Sequence, residues 1–287
     1  MSVNIKRIRK AFLKNDTKRD QGLTTPEEIE RYDDIAYGED EMQVLDVYRP
    51  KDKVGKLPVI VSVHGGGWVY GNKEIYQYYC MDLSKRGFAV VNFSYRLSPE
   101  FRWPCQLEDT DNVFRWVYEH KDEYGFDTEN LFGVGDSAGG HLLSLYACLL
   151  TNEKMREEYG FTVPEEISLK ALGLNCGAYR MEREDEELMK VLFGRKPEKE
   201  DLRKISPVNY VTEKFPPSFV MTAEKDFLKE DALLMKEKLE EAGTEVRYVC
   251  YEDEKERPGH VFHVNIRSPL AKRCNDEECG FFKEHMK

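Results

Sequence analysis

One short stretch of this chain, a serine between glycines, restricts the possible folds most strongly. A G-D-S-A-G pentapeptide at 135–139, centred on Ser137, follows an apolar run at 130–135 and precedes a largely apolar segment at 138–150. Glycines beside a serine supply the clearance for a sharp turn from a strand into a helix. Such a turn exposes the hydroxyl at the amino end of the helix, where developing negative charge is favoured. The pentapeptide alone is weak evidence for such a turn. The apolar run before it and the apolar segment after it make the evidence strong.

The surrounding sequence alternates short apolar runs with longer amphipathic segments. Runs of this kind are typical of a mostly parallel sheet covered by helices on both faces. Strands are predicted at 43–48, 59–64, 88–95, 130–135, 169–175, 218–223 and 245–251, and helices at 108–120, 138–150, 230–242 and 269–285. A chain of 287 residues can bury a large core in one such domain.

A second glycine-rich motif, H-G-G-G-W at 64–68, follows a predicted strand. Attack of a serine on an ester carbonyl creates an oxyanion, which backbone N–H groups must reach without obstruction by side chains. We therefore expect the amides of Gly65 and Gly66 to join that of Ala138 in an oxyanion hole. The alternative, a phosphate-binding loop, is disfavoured because no Lys-Ser/Thr pair follows and the spacing fits no dinucleotide fingerprint.

Together these motifs resemble the hormone-sensitive-lipase-like branch of the α/β-hydrolases, an esterase family marked by HGGG upstream of GDSAGG. The matching segments are 64–67, 135–140, Y-R-L-S-P-E at 95–100 (Y-R-L-A-P-E in the family), Pro104 and L-E-D at 107–109. The resemblance covers about residues 44–262. It implies an α/β-hydrolase fold, with a mostly parallel, twisted central sheet of about eight strands, helices on both faces and a helical lid.

In G-x-S-x-G hydrolases, the acid and then the histidine follow the serine along the chain. The acid is expected just after the strand at 218–223, where the family's D-x-L pattern after T-A selects Asp226. Glu224 stays open as an alternative, since glutamate can fill the same role. The family's H-G-F or H-x-F pattern selects His260 as the base, with valine in place of the usual glycine. His263 is the alternative base.

Two segments fall outside the regular alternation. Residues 1–35 are predicted to form an N-terminal helical cap, with a helix beginning at the Thr-Pro-Glu-Glu of 25–28. The catalytic domain is then 36–287. Within it, residues of about 178–213 are charged and irregular and are predicted to form a lid. The stretch 182–187 contains one arginine and otherwise only acids.

Aromatic side chains near the strand ends are candidates for the substrate pocket. We expect Trp68, Tyr95 and Tyr179 there, together with Tyr70. The alternative is that these rings pack in the core. His141, four positions beyond the serine on the same predicted helix, is expected to lie near the site without acting as the base.

Composition indicates which partners the protein is expected to bind and where in the cell it is expected to be. The formal net charge of -11 disfavours binding to nucleic acid or anionic lipid. The seven cysteines have irregular spacings, which is typical of free thiols in a reducing cytoplasm. No stretch has the apolar length of a membrane span, and the N-terminus lacks the apolar core of a signal peptide. We expect a cytoplasmic protein with no cofactor and no metal, and a homodimer is left open.

The motifs together predict a serine carboxylesterase that hydrolyses short-chain, acetyl-like esters through Ser137, His260 and Asp226 and a covalent acyl-enzyme. The charged lid favours short acyl chains because it offers no apolar surface to lipid. An arylformamidase or amidase with the same triad is the alternative, since a related H-G-G-x-W loop is known there. A non-catalytic ligand receptor on this fold is a further alternative, against which the retained His260 argues.

Overall fold

The computed structural model describes residues 4–181 and 186–287, which are organised around one eight-stranded sheet. The strands are β1 (Ile29–Ala36), β2 (Val44–Pro50), β3 (Leu57–Val63), β4 (Ala89–Phe93), β5 (Phe126–Asp136), β6 (Ala171–Asn175), β7 (Ser218–Ala223) and β8 (Val246–Tyr251). Their spatial order is β1-β2-β4-β3-β5-β6-β7-β8. Strand β2 is antiparallel to both its neighbours, and all other pairs are parallel. The predicted mostly parallel sheet of about eight strands is confirmed.

Helices cover both faces of this sheet. They are α1 (Ile5–Asp20), α2 (Lys73–Ser84), α3 (Cys105–Glu119), α4 (Ala138–Thr151), α5 (Glu153–Tyr159), α6 (Glu186–Phe193), α7 (Lys199–Lys204), α8 (Lys229–Glu241) and α9 (Pro269–Glu284). The buried apolar side chains form two clusters, one with α3, α4 and α8 and the other with α2 and α9. A core on each face is what a two-sided α/β sheet requires. Within the part of the chain that the structure describes, no helix has the length and apolar character needed to cross a membrane.

The N-terminal region differs from its prediction in one respect. Helix α1 is present and begins at Ile5, and the side chain of the capping residue Asn4 accepts a hydrogen bond from the amide of Arg7 at 3.1 Å. The helix predicted to begin at 25–28 is wrong, because residues 29–36 form β1 and pair with β2. The edge of β2 offers backbone groups for pairing, and this tertiary interaction overrides the local helix signal.

The predicted lid at about 178–213 is described in part. Helices α6 and α7 lie within it, and Leu188 of α6 lines the cavity described below. Residues 182–185, which make up most of the acidic run, lie outside the described residues. The bounds of the lid, the cap and the catalytic domain stay predictions.

A buried carboxylate ties three segments together beside the sheet. Asp109 on α3 is fully buried and accepts hydrogen bonds from the backbone amide and from Nη2 of Arg96, both at 2.8 Å. The side-chain amide of Gln43 donates to the same carboxylate at 2.7 Å. Since Arg96 follows β4 and Gln43 precedes β2, Asp109 holds α3 to the ends of two neighbouring strands.

Replacing Asp109 by alanine is expected to lower the free energy of unfolding by about 3 kcal/mol, because the guanidinium of Arg96 loses its buried partner. Urea denaturation measures this change. The control is Glu129→Ala, which removes an exposed ion pair with Lys287 (3.5 Å) and should change the free energy by less than about 0.5 kcal/mol. A loss below about 1 kcal/mol for Asp109→Ala would contradict the role assigned to this carboxylate.

Candidate active site

The turn from β5 into α4 carries Ser137. Its backbone angles, φ 51° and ψ -118°, lie in a region that L-residues rarely adopt. The turn is tight: a Cβ added at Gly139 would collide with the carbonyl oxygen of Val63, and one added at Gly135 would lie 2.6 Å from the carbonyl oxygen of Gly139. Both glycines are therefore required by close backbone approach, in agreement with the expected strand-to-helix turn.

His260 lies directly beside Ser137. Its Nε2 is 3.0 Å from Oγ of Ser137, and its Nδ1 is 2.7 Å from Oδ1 of Asp226. Because an ionised carboxylate only accepts hydrogen bonds, Nδ1 carries the proton and Nε2 is free to accept from the serine hydroxyl. The loop that holds His260 follows β8 and is fixed to the loop after β7 by a bridge between Gly259 and Lys225.

The carboxylate of Asp226 is held by three donors. The Thr222 hydroxyl donates to Oδ2 at 2.8 Å, and the Leu228 amide donates to Oδ1 at 3.0 Å, in addition to His260. Burial acts to raise the pKa of Asp226, but the hydrogen bond and charge of His260, together with the hydrogen bonds from Leu228 and Thr222, outweigh it, and the pKa is lowered from its ordinary value. Glu224, the alternative acid, is exposed to solvent. The structure thus places Asp226, not Glu224, beside the imidazole.

Two other histidines lie close by and are held differently. His263, the alternative base, is buried edge-on against the ring of Tyr79 at 5.1 Å, and burial lowers its pKa to about 3. His141 on α4 accepts a hydrogen bond from the indole N–H of Trp68 at 3.1 Å and donates one to the carbonyl of Ile205 at 2.7 Å. His260 is therefore the histidine that the structure brings to the serine.

In the glycine loop after β3, the first glycine, Gly65, is not arranged as the sequence predicts. The amide of Gly65 donates to the hydroxyl of Tyr76 at 3.1 Å, so this N–H is already committed. Gly66 and Gly67 have φ of 122° and 61°, and they line the cavity together with Ala138. The expected role of Gly65 as an oxyanion donor does not fit this hydrogen bond, and the expected roles of Gly66 and Ala138 stay predictions.

Tyr76 connects the glycine loop to the nucleophile turn. Its hydroxyl accepts from the amide of Gly65 and donates to Oδ2 of Asp136 at 2.7 Å. Asp136 is buried immediately before Ser137, and this burial raises the pKa of Asp136 to about 6 in spite of the hydrogen bond from Tyr76. Neither Tyr76 nor Asp136 is among the predicted site residues. The signal that points to them is the carboxylate at the variable position of G-x-S-x-G.

A cavity of about 570 Å³ opens at Ser137 and His260. Phe227, which is 75% exposed, forms part of its mouth, with its ring centroid 4.2 Å from that of His260. The N-terminal helix α1 supplies part of the cavity lining, through Ile8, Phe12, Asn15, Asp16 and Arg19. The sequence signal for this wall is the thin apolar stripe of α1 at helical spacing.

Of the four aromatic residues predicted for the pocket, two line the cavity and two are buried in the core. Trp68 and Tyr70 line the cavity. Tyr95 is buried instead, with its ring stacked on His64 at 4.0 Å and its hydroxyl donating to the His64 carbonyl at 3.1 Å. Tyr179 is also fully buried, with its ring against Gly177. The assignment of Tyr95 and Tyr179 to the pocket is wrong, because both rings pack in the core.

Polar contacts, rather than apolar burial, hold α1 beside the cavity. None of the sixteen residues of this helix is buried. Arg9 donates to the carbonyl of Val69 at 2.7 Å and pairs with Glu100 at 2.6 Å. Asp16 accepts from the hydroxyl of Tyr70 at 2.6 Å. These contacts attach both halves of the helix to the catalytic domain.

A thiol lies next to the Asp226–His260 pair. Sγ of Cys176, one oxygen of Asp226 and one nitrogen of His260 all lie within 4.8 Å of one another. Cys176 directly follows β6 and is fully buried. Zinc accepts ligands of these kinds, but its tetrahedral coordination places nitrogen and oxygen ligands about 3.4 Å apart. Nδ1 of His260 and Oδ1 of Asp226 are only 2.7 Å apart and share a hydrogen bond, so the present arrangement is that of a triad rather than a metal site.

Solved structures share the fold of this chain. Esterase B from Lactobacillus rhamnosis matches with a TM-score of 0.89 and 22% identity, covering 98% of this chain and 93% of that one. A hyperthermophilic esterase from the archaeon Pyrobaculum calidifontis matches with a TM-score of 0.79 and 24% identity, covering 98% of this chain and 91% of that one. At these identities the similarity shows a common α/β-hydrolase fold.

Sequence comparison identifies the family. Esterase LipC of Mycobacterium tuberculosis is 32% identical over 206 residues, covering 67% of this chain and 50% of LipC. Versiconal hemiacetal acetate esterase of Dothistroma septosporum is 26% identical, covering 76% of this chain and 71% of that protein. The chain spans about half the length of LipC and of LipM, a probable carboxylic ester hydrolase from the same bacterium. The BD-FAE family model matches residues 45–238. The chain therefore belongs to the BD-FAE family, within the hormone-sensitive-lipase-like α/β-hydrolases.

Proposed function

We propose that this protein is a serine carboxylesterase, with Ser137 as nucleophile, His260 as general base and acid, and Asp226 as the residue that orients the imidazole. The observation that carries the proposal is the continuous hydrogen-bonded chain of 3.0 Å from Ser137 to His260 and 2.7 Å from His260 to Asp226. The esterase names of relatives such as LipC support the same chemistry.

In the first half of the reaction, Oγ of Ser137 bonds to the ester carbonyl carbon while its proton passes to Nε2 of His260. Asp226 stabilises the imidazolium that forms, because its lowered pKa keeps the carboxylate ionised. The imidazolium then donates its proton to the departing alcohol as the carbon–oxygen bond breaks. The acyl group remains on Ser137.

In the second half, a water molecule takes the place of the alcohol. Its oxygen bonds to the acyl carbon while one of its protons passes to Nε2 of His260. The acyl–oxygen bond to Ser137 then breaks, and the imidazolium returns the proton to Oγ. The carboxylic acid leaves and the enzyme is restored.

We assign the oxyanion hole to the amides of Gly66, Gly67 and Ala138, which revises the set expected from the sequence. The observation that supports the revision is the hydrogen bond from the amide of Gly65 to Tyr76; all four residues line the cavity beside Ser137. One donor of this kind contributes about 3 kcal/mol to transition-state stabilisation.

We propose esters with short acyl chains as the substrates. Helix α1 contributes to the lining of the cavity, and its Phe12 contacts Tyr70 edge-on at 5.4 Å. The name of the Dothistroma relative refers to an acetate ester, which supports the same class. We also propose a cytoplasmic location, which the free thiols of all seven cysteines support. A homodimer stays a prediction, for which light scattering after size-exclusion chromatography is the test.

Wild-type protein is expected to hydrolyse p-nitrophenyl acetate and butyrate faster than the palmitate, and a fluorophosphonate probe is expected to label Ser137. Ser137→Ala is the blank, and its kcat should fall by roughly 10⁴ to 10⁶ because the triad acts as a unit. Rates that rise towards palmitate would contradict the short-chain proposal. Faster hydrolysis of N-formylkynurenine than of p-nitrophenyl acetate would favour an arylformamidase. Absence of labelling would exclude both activities.

Tyr76→Phe is expected to lower kcat by about 10-fold with little change in KM, because the Gly65 amide loses its acceptor and the glycine loop loses its anchor. Tyr78→Phe is the matched control on the same helix. The Tyr78 hydroxyl donates to the carbonyl of Leu23 at 2.9 Å, away from the cavity, so kcat should stay within about twofold. Equal kcat in the two variants would contradict the positioning role of Tyr76.

Asp136→Asn is expected to change how stability depends on pH. Burial raises the pKa of Asp136 from 3.8 to about 6, so the folded state holds the proton more tightly than the unfolded state, and the wild type loses stability as pH rises between these values. Between pH 4.5 and 7, the free energy of unfolding of the variant should rise by about 2 kcal/mol relative to that of the wild type. Urea unfolding at several pH values measures the gain. Asp52→Asn, at an exposed site, is the control and should show no such pH-dependent gain. If the difference in free energy of unfolding between Asp136→Asn and the wild type were the same at every pH, the raised pKa of Asp136 would be contradicted.

A further inference from the structure

A buried histidine that the proposed mechanism does not use lies on α4, one helical turn after the nucleophile. His141 is fully buried, and both of its ring nitrogens have partners. Nδ1 lies 3.1 Å from the indole N–H nitrogen of Trp68, and Nε2 lies 2.7 Å from the carbonyl oxygen of Ile205. Because an indole only donates and a carbonyl only accepts, Nδ1 is the unprotonated nitrogen and Nε2 carries the proton. Burial lowers the pKa of His141 to about 4, so the ring stays neutral and keeps this tautomer near pH 7.

The two partners of His141 belong to different parts of the site. Trp68 directly follows Gly67 in the glycine loop and lines the cavity. Its φ of 61° is uncommon for a residue with a side chain, and its indole meets the imidazole edge-on with ring centroids 5.1 Å apart. Ile205 directly follows α7, within the predicted lid. His141 therefore joins one side chain of the cavity lining to the end of a lid helix.

The side chain of Trp68 depends on this imidazole for its position. Trp68 is 2% exposed, so its N–H is shielded from solvent, and a buried donor without a partner is costly. The backbone of Trp68 is held separately, because its carbonyl accepts from the amide of Ser98 at 2.9 Å. Loss of the imidazole would therefore release the indole while the loop backbone stays anchored. The released indole would turn to find another partner for its N–H.

We propose that His141 is a positioning residue that sets the acyl-chain selectivity of the enzyme by holding Trp68 as a fixed boundary of the cavity. This inference rests on the proposed esterase function. The carbonyl carbon of a bound ester lies between Ser137 and the glycine loop, so a ring that directly follows Gly67 lies beside the reacting group. With the indole fixed, the cavity keeps one shape, which suits short acyl chains. A turn of so large a side chain would add space to the cavity and admit longer acyl chains.

The selectivity of variants for acyl length tests the proposal. The ratio of kcat/KM for p-nitrophenyl butyrate to that for the octanoate is expected to fall by about 5-fold or more in His141→Leu, which removes both ring nitrogens. Trp68→Phe removes the same hydrogen bond from its other partner and should lower the ratio by a similar factor. The double variant should show no further fall, because the imidazole acts through the indole.

Two further variants control this measurement. His141→Asn should keep the ratio within about twofold of the wild type, because its amide oxygen can accept from the indole in place of Nδ1. His120, at the C-terminal end of α3, stacks on Trp116 with ring centroids 4.4 Å apart and offers a matched histidine–tryptophan pair. His120→Leu should also leave the ratio within about twofold.

The NMR signal of the Trp68 indole N–H tests the contact independently of activity. The chain contains three tryptophans, and isotope labelling of their indole nitrogens gives three signals, of which the one lost in Trp68→Phe belongs to Trp68. Exchange of this hydrogen with solvent should be slow in the wild type, in His141→Asn and in His120→Leu. In His141→Leu it should be about 10-fold faster or more, because the donor has lost its partner.

The outcomes separate the proposal from a merely structural role of His141. A fall in kcat/KM by the same factor for butyrate and octanoate, or unchanged indole exchange in His141→Leu, would overturn the proposal. Should His141→Leu fail to fold, a wild-type ratio in Trp68→Phe or rapid indole exchange in His141→Asn would overturn it as well. If esterase activity is absent but indole exchange follows His141, the contact stands and the proposed function fails.

Discussion

The geometry of the site depends on one close approach between backbones, that of Gly139 to the end of β3. Gly139 sits against the carbonyl oxygens of Val63 and His64, where any Cβ would collide. Val63 is the last residue of β3 and the glycine loop follows it, so the same contact sets Ser137 beside the amides of that loop. A side chain at position 139 would push α4 away from β3 and separate the nucleophile from its oxyanion donors. The unusual backbone angles of Ser137 persist because packing on both sides of the turn enforces them.

The parallel sheet then brings the remaining chemistry to the same edge. Ser137 follows β5, Cys176 follows β6, Asp226 follows β7 and His260 follows β8, and these strands are neighbours in the sheet. The carboxyl ends of parallel strands meet at one edge, so residues separated by up to 123 positions become direct contacts. The carbonyl of Asn175 accepts from the amide of Ser137 at 3.0 Å, which locks the turn to β6. The order of the strands decides that the acid comes from the loop after β7, and within that loop Asp226 is buried beside the imidazole while Glu224 is exposed.

Sequence patterns predict the strands that are buried on both faces of the sheet. They do not predict which way an aromatic side chain or a backbone amide points. The strand predicted at 218–223 agrees with β7 to the residue, because every side chain in it is buried and the run is continuous. β1 was not predicted, since an edge strand with largely exposed polar side chains has no such run. An aromatic residue at a strand end can face the cavity or the core, and only the tertiary structure distinguishes Trp68 from Tyr95. The direction of the Gly65 amide is set by Tyr76, on a helix beyond the loop, which no local pattern contains.

Two buried acids flank the nucleophile turn, and their ionisation lowers the stability of the folded state. Asp136 is tied through Tyr76 to the glycine loop, while Glu278 of α9 accepts from the side chain of Asn175 at 2.8 Å. Burial raises the pKa of Asp136 to about 6 and that of Glu278 to about 7. A carboxyl group whose pKa is raised in the folded state makes that state less stable when the group is ionised. Apolar groups in these positions would remove that cost but could not direct the hydroxyl and the amide on either side of Ser137. The turn is therefore held in place by buried carboxyl groups whose ionisation lowers stability at neutral pH, and their hydrogen bonds offset only part of that loss.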